Sequence, residues 1–238
     1  MSDKIIRSTY GGLGDSLQHS TLPRRFTELG FDVYVSSQIP YRNPDIKKLV
    51  WDLNPYIKGF SDAAPNAGDI EGIYYRQYNH GFIGNWECAH GLGEPYSEIP
   101  EIYYVPNEVK EVKDKVLIDV TTITAKPLYD GEKLRKFVTW NYDKKDVMMC
   151  IFPDGLTFPM FLLEGYDAVY VKDLFYYLDL IYSCKRFVCL FSGGASAAAS
   201  LFKYKKIYVE CICTDNPVLR SAEITSLHSY KEINYIWM

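Results

Sequence analysis

Three short stretches of this chain hold residue types in an order that could do chemistry. The first is Tyr10-Gly11-Gly12-Leu13-Gly14-Asp15-Ser16-Leu17, entered directly from the apolar run Lys4–Thr9. Glycines let backbone approach a ligand, and the free N–H groups of a helix start favour an ionised acid. A carboxylate so placed suits a base acting on a hydroxyl, with Tyr10, Gly12 and Gly14 on the same acceptor side. It suits a phosphate cradle poorly, because Asp15 would repel the anion. From Gly12 the third glycine of a dinucleotide fingerprint falls on Leu17, and no Gly-Lys-Ser/Thr follows as a P-loop requires. The alternative is a tight turn with Asp15 as a plain helix N-cap.

The second stretch is Thr121-Thr122-Ile123-Thr124-Ala125-Lys126-Pro127, after the apolar run Lys115–Val120. Hydroxyls and a lysine just past the carboxyl end of a parallel strand suit a diphosphate. Thr121 and Thr122 would contact it, and Lys126 would neutralise charge as a bond to phosphate breaks. The third stretch is Ser192-Gly193-Gly194-Ala195-Ser196-Ala197, where a strand turns into a helix. Backbone N–H groups at Ser192, Gly193 and Gly194 make an anion site of that kind of turn. Close packing of helix on sheet also explains the alanines.

The elements that must position these stretches alternate in kind. Lys4–Thr9 reads as a strand and Asp15–Leu29 as a helix with Leu22, Phe26 and Leu29 on one face, kinked at Pro23 and ended by Gly30. Phe31–Ser36 is a second strand, so the chain opens on a right-handed strand–helix–strand unit and a parallel sheet. Seven prolines punctuate residues 40–106, with short strand signals at Ile73–Tyr75 and Ile102–Val105. Gly81–Gly93, rich in glycine and aromatics, reads as a substrate loop or as an ordinary connection. Pro106–Asp114 reads as a polar linker or hinge. Beyond it the pattern predicts strands at Lys115–Val120, Val147–Phe152, Ala168–Val171, Arg186–Phe191 and Lys206–Cys211. Helices fall near Asp130–Thr139, Asp173–Cys184 and Ala195–Phe202. The division this implies is an N-terminal domain over 1–110 and a C-terminal domain over 111–238.

The order of the three stretches resembles that of the two-Rossmann GT-B glycosyltransferases, in particular the heptosyltransferase-like family 9. Gly12-Leu13-Gly14-Asp15-Ser16-Leu17 with Pro23 is similar to that family's G-[LI]-G-D-x-[LI] turn and its proline-bearing helix. Lys126-Pro127 stands where the family has a lysine and an aromatic–proline stretch. Phe191-Ser192-Gly193-Gly194-Ala195-Ser196-Ala197-Ala198 resembles its D-[ST]-G-x-x-H-x-A segment, with Phe191 in place of the acid and Ser196 in place of the histidine. The resemblance implies an α/β fold of two Rossmann-type domains, parallel sheets facing across a cleft, with the N-terminal half reduced. It implies hexosyl or heptosyl transfer from a nucleotide-diphosphate sugar by inverting displacement, without a metal or other cofactor. Asp15 would be the base. Thr121, Thr122, Lys126, Ser192, Gly193 and Gly194 would hold the donor, and the acceptor would be a glycan or glycolipid. Two other readings remain open: a non-catalytic nucleotide or glycan binder, and a glycosyltransferase acting on modified DNA bases.

Composition narrows the partners. The chain has 238 residues, 47% hydrophobic and 24% charged, enough apolar content for sizeable cores. A net charge of −4 disfavours a nucleic-acid groove as the main surface, although Arg24-Arg25, Lys47-Lys48, Lys144-Lys145 and the lysines of Lys203–Lys206 form local basic clusters. The six cysteines form no C-x-x-C pair and sit mostly in apolar runs, as buried free thiols of a reducing compartment do. The four histidines show no metal-ligand spacing. The polar N-terminus shows no signal peptide and no apolar run is long enough for a membrane span, which predicts a cytoplasmic protein.

Overall fold

The computed structural model describes residues 2–69, 80–121, 129–153, 164–215 and 230–238. The chain divides into two compact units, Met1–Tyr104 with Ser221–Lys231, and Val105–Arg220 with Glu232–Met238. Each is built on its own parallel sheet.

The first unit holds β1 (Asp3–Arg7), β2 (Asp32–Ser36), β3 (Gly59–Ser61) and β4 (Ala67–Gly68), in the order β3-β2-β1-β4. All its pairings are parallel, with β1 and β2 registered from Asp3↔Asp32 to Ile6↔Val35. Alternation buries Val33 and Val35 without exposure, as a strand with one face on a core must. The single helix predicted over Asp15–Leu29 is two helices, α1 (Leu13–Leu17) and α2 (Leu22–Glu28). Pro23 lies in the first turn of α2, where its missing N–H breaks no bond, so it starts a helix rather than kinking one. Leu22 and Phe26 are buried, but Leu29 is 62% exposed because the helix has already ended. At that end Gly30 N–H bonds Thr27 O and Phe31 N–H bonds Phe26 O, a Schellman closure, with the Phe26 and Phe31 rings edge to face.

Two predicted features of this unit are corrected. Gly81–Gly93 is not a substrate loop. Gly81–Ala89 is a helix, α4, with Phe82, Ile83 and Trp86 in the core. It follows a short helical turn, α3 (Pro44–Ile46), that runs on as π-helix through Lys47–Asp52. Ile102–Val105 is not a strand. Ile102 is buried and Val105 is 68% exposed, within irregular chain. The strand signal at Ile73–Tyr75 lies outside the described residues.

The second unit has β5 (Val116–Asp119), β6 (Val147–Ile151), β7 (Asp167–Tyr170), β8 (Arg186–Leu190), β9 (Val209–Cys213) and β10 (Ile233–Trp237). Its order is β10-β9-β8-β5-β6-β7, parallel throughout. Numbered within the unit, this is 3-2-1-4-5-6, the doubly wound dinucleotide-fold order. The residues of β5 are buried from end to end, as a central parallel strand requires. On one face Val116, Ile118, Met149, Val188, Leu190 and Ile212 pack under Leu134 and Val138 of α5 (Gly131–Asn141). Each helix opens on a polar cap: Asp130 for α5, Asp173 for α6 (Leu174–Ser183) and Ser192 for α7 (Gly193–Ser200). The amides of Asn107 and Val109 donate to Asp179 and Ser183, which ties the start of this unit to α6. The six cysteines are free, five of them buried. No helix among the described residues is long and apolar enough to cross a membrane.

Candidate functional site

In an open parallel sheet, ligands gather at the carboxyl ends of the strands where the order reverses direction. In the first unit that point lies between β1 and β4, and in the second between β5 and β8. Asp15 follows β1. Thr121 follows β5, and Ser192 follows β8.

Asp15 is the third residue of α1 rather than its N-cap. Gly12 is the cap, and Asp15 reaches back so that its Oδ2 accepts the Gly12 N–H at 3.0 Å, half of a capping box. Gly12 has no side chain to return the bond. A Cβ there would sit 2.6 Å from Asp15 Oδ2, so glycine is what lets the carboxylate turn back. Gly11 is needed for packing inside the unit: its Cβ would lie 1.7 Å from Pro40 O, and its carbonyl accepts Arg42 N–H at 3.0 Å. These two glycines fit the protein to itself, where the sequence suggested close approach to a ligand. Tyr10 is 58% exposed, with its carbonyl bonded to Ser8 Oγ.

Burial raises the Asp15 carboxyl above the ordinary carboxylate value and is the largest influence on it. The Gly12 N–H and the Arg42 guanidinium oppose burial, the charge of Asp69 adds to it, and His19 opposes it. The sequence suggested an acid held ionised by a helix start. A five-residue helix has little dipole to offer, and desolvation wins. A raised carboxyl is the stronger base of the two.

In the second unit Asp119 ends β5 and is 3% exposed. Its Oδ1 accepts Thr121 N–H at 2.7 Å, and its Oδ2 accepts the Tyr177 hydroxyl. Burial raises its pKa, and those two donors oppose the rise. α7 begins directly above it. Ser192 Oγ accepts Gly194 N–H at 3.3 Å, and Ser192 O accepts Ala195 N–H at 3.1 Å. Gly193 and Gly194 therefore form the first helical turn, not the loop before it. A Cβ on Gly194 would lie 2.8 Å from the Tyr177 hydroxyl and 3.2 Å from Asp119 Oδ2. Sequence reasoning passed over Asp119 and Tyr177. The signal was available in an acid ending a run of buried apolar residues. Thr122 and Lys126 lie outside the described residues.

Phe191 is half-buried with its ring 6.3 Å from Tyr235, and Ser196 is 6% exposed inside α7. Two of the basic pairs are already partnered. Arg24 binds Glu28 and Glu101, Arg25 donates to the carbonyls of Pro95 and Gly93, Lys47 pairs with Asp52 and Lys48 with Asp45. Among the described residues no three His, Cys, Asp or Glu side chains gather as metal ligands.

The sequence matches no family model and no curated protein. Solved structures do match. The iron-containing dodecameric glycosyltransferase TibC from enterotoxigenic Escherichia coli aligns at TM-score 0.60 and 19% identity, over 89% of this chain and 57% of TibC. This chain thus spans little more than half of that protein, which has also been solved with ADP-D-β-D-heptose. A family 9 glycosyl transferase from Veillonella parvula aligns at TM-score 0.60 and 10% identity, over 99% of this chain and 85% of that one. The E. coli heptosyltransferase WaaC, solved with ADP, aligns at TM-score 0.58 and 9% identity, over 100% of this chain and 93% of that one. The fold is therefore the heptosyltransferase-like, GT-B-type one that the sequence resemblance implied, with four strands in the first sheet against six in the second.

Proposed function

We propose that the chain is an inverting glycosyltransferase that moves a hexose or heptose from a nucleotide-diphosphate donor to a hydroxyl of a glycan or glycolipid. The observation that carries this reading is Asp15. It is a half-buried carboxyl at the switch point of the first sheet, with Oδ2 held by Gly12 N–H and a pKa raised by burial. Asp15 takes the proton from the acceptor hydroxyl as that oxygen attacks the anomeric carbon. The carbon–oxygen bond to the diphosphate breaks on the opposite face, so configuration inverts in one step.

The donor diphosphate lies at the second switch point, against Thr121 and the Ser192–Gly194 turn, with Thr122 and Lys126 completing its contacts. Gly193 N–H is positioned at the helix start for an anion, and the Ser192 hydroxyl can turn from its cap to a phosphate oxygen. Charge leaving on the diphosphate is met by Lys126 and these amides, without a metal. The acceptor side corresponds to the first compact unit and the donor side to the second, in a cytoplasmic protein.

The test is release of ADP from ADP-D-β-D-heptose, after a thermal-shift screen of nucleotide sugars has shown that it binds. Asp15→Ala abolishes release while donor binding stays within about twofold, because the base touches the transition state and not the donor phosphates. Release that survives the substitution refutes Asp15 as base. A second reading, a nucleotide binder without transfer, is favoured by Phe191, packed against Tyr235 where the resembled family has an acid. Donor binding with no release by the unaltered chain selects it.

A further inference from the structure

We propose that Asp69 is the positioning residue of the Asp15 site, clamping the turn that carries the base from both of its ends. This rests on the reading of Asp15 as the base. Asp69 comes directly after β4, which pairs with β1 through Ile6↔Ala67 and Arg7↔Gly68. Gly68 has φ +121°, and a Cβ on it would lie 1.9 Å from Arg7 O. Only glycine fits this crossing, and the crossing delivers Asp69 to the switch point beside Asp15.

The Asp69 carboxylate touches both arms of the turn. Oδ2 accepts Thr9 N–H, on the entering arm. Oδ1 lies 3.4 Å from Gln18 Nε2 and 3.7 Å from His19 Nε2, on the leaving arm. Asp15 is enclosed between them. Gln18 supplies the hydrogen bond on the leaving arm, and His19 beside it ties that arm to the base. His19 is fully buried, its ring centroid is 4.8 Å from that of Trp86, and its Nδ1 is 3.0 Å from the carbonyl oxygen of Asp15. A carbonyl only accepts, so Nδ1 carries the proton. Nε2 faces Asp69 Oδ1 beyond hydrogen-bond reach and has no hydrogen-bond partner among the described residues, and burial lowers the imidazole pKa while the Asp69 charge opposes that. The Nδ1–H bond of His19 holds the backbone of the base, and Asp69 acts on the Asp15 carboxyl through its charge.

The charged and titratable groups around Asp15 come from three segments. They are His19 beyond α1, Arg42 after β2, and Asp69 after β4. Behind them His90 contacts Gly68 through Nε2 and feels His19 and Lys4. Of these groups Asp69 is the one whose charge makes Asp15 harder to ionise. It therefore favours the protonated Asp15 that forms as the acceptor oxygen attacks.

The experiment follows Asp15 and His19 by carbon and nitrogen NMR across pH, in the full chain and in Asp69→Asn. Asparagine retains an oxygen for Thr9 N–H but carries no charge. The expected result is that both the Asp15 carboxyl and the His19 imidazole titrate at lower pH in the variant. ADP release from ADP-D-β-D-heptose falls on the order of ten- to a hundred-fold in kcat, as displacement of a reacting group by up to ~1 Å produces, with KM near its original value. Asp69→Glu restores part of the rate and of the Asp15 midpoint. Unchanged midpoints in folded Asp69→Asn overturn the proposal, as does a variant that changes KM alone. If Asp15→Ala retains ADP release while Asp69→Asn still moves the Asp15 midpoint, the base reading fails and the clamp stands.

Discussion

Gly194→Ala tests how α7 is seated above Asp119. The new Cβ would lie 2.8 Å from the Tyr177 hydroxyl, 3.2 Å from Asp119 Oδ2 and 3.5 Å from Cys189 Cβ. Tyr177 is 2% exposed and its hydroxyl is bonded to Asp119, so it cannot swing aside. Overpacking of this sort costs ~1–3 kcal/mol. Weakening a hydrogen bond to a buried charged acceptor adds ~1.5–3 kcal/mol when the bond is lost outright. Against this, alanine gains at most ~1 kcal/mol in helix propensity. The clash wins, and the net loss is about 2–3 kcal/mol. Tyr177→Phe removes the oxygen at 2.8 Å, and the nearest remaining contacts, 3.2 and 3.5 Å, need only slight relaxation. In that background Gly194→Ala costs less than about 1 kcal/mol. Urea denaturation of the four proteins of this cycle then gives a coupling near 2 kcal/mol at constant m. Effects that add to within about 0.5 kcal/mol would refute the seating of α7 on the tyrosine hydroxyl.

Acid stability depends on His90, whose imidazole is lowered to about 4 by burial, with Gly68 opposing. The folded pKa is below the ordinary 6.5, so the unfolded chain protonates first as pH falls. Stability is then full above pH 6.5 and declines by ~3 kcal/mol on the way to pH 4; urea midpoints of His90→Gln should show a flatter decline there, and an equal slope refutes the assignment. ADP binding at the Ser192–Gly194 turn brings negative charge over Asp119 and raises its pKa further. Calorimetry in buffers of different ionisation enthalpy should show proton uptake that Asp119→Asn removes, and no buffer dependence in the unaltered chain would place the diphosphate elsewhere.

The sequence made the strands legible where burial on both faces leaves an unbroken apolar run. β5, β6 and β8 are such runs, and each starts within a residue of its predicted position. The elements it hid are those set by partners far along the chain. β4 is two residues long and exists because Gly68 can cross Arg7 at backbone contact. β10, with the mixed pattern Ile-Asn-Tyr-Ile-Trp, is a strand because β9 offers it an edge over five residues. The glycines of Gly81–Gly93 read as loop, yet Phe82, Ile83 and Trp86 recur at helical spacing and α4 is built on them. There the period outweighed the glycines, since burial of three large side chains exceeds the ~1 kcal/mol each interior glycine costs a helix.

The same logic separates what was legible in the two sites. Asp15 and Ser192 were visible because each follows its strand within eight residues, and a strand–turn–helix pattern is local. Asp69 and Tyr177 were not, because each reaches its site across the sheet or from a covering helix, 50 or more residues away from Gln18 and Asp119. Strand order supplies the missing step. Once β4 is placed next to β1, whatever follows it must arrive beside the residue that follows β1, and here that brings two carboxyls together. A like charge so near would be selected against if Asp15 served only to cap a helix, since it weakens the very ion that caps. It is consistent with a carboxyl whose work is to receive a proton.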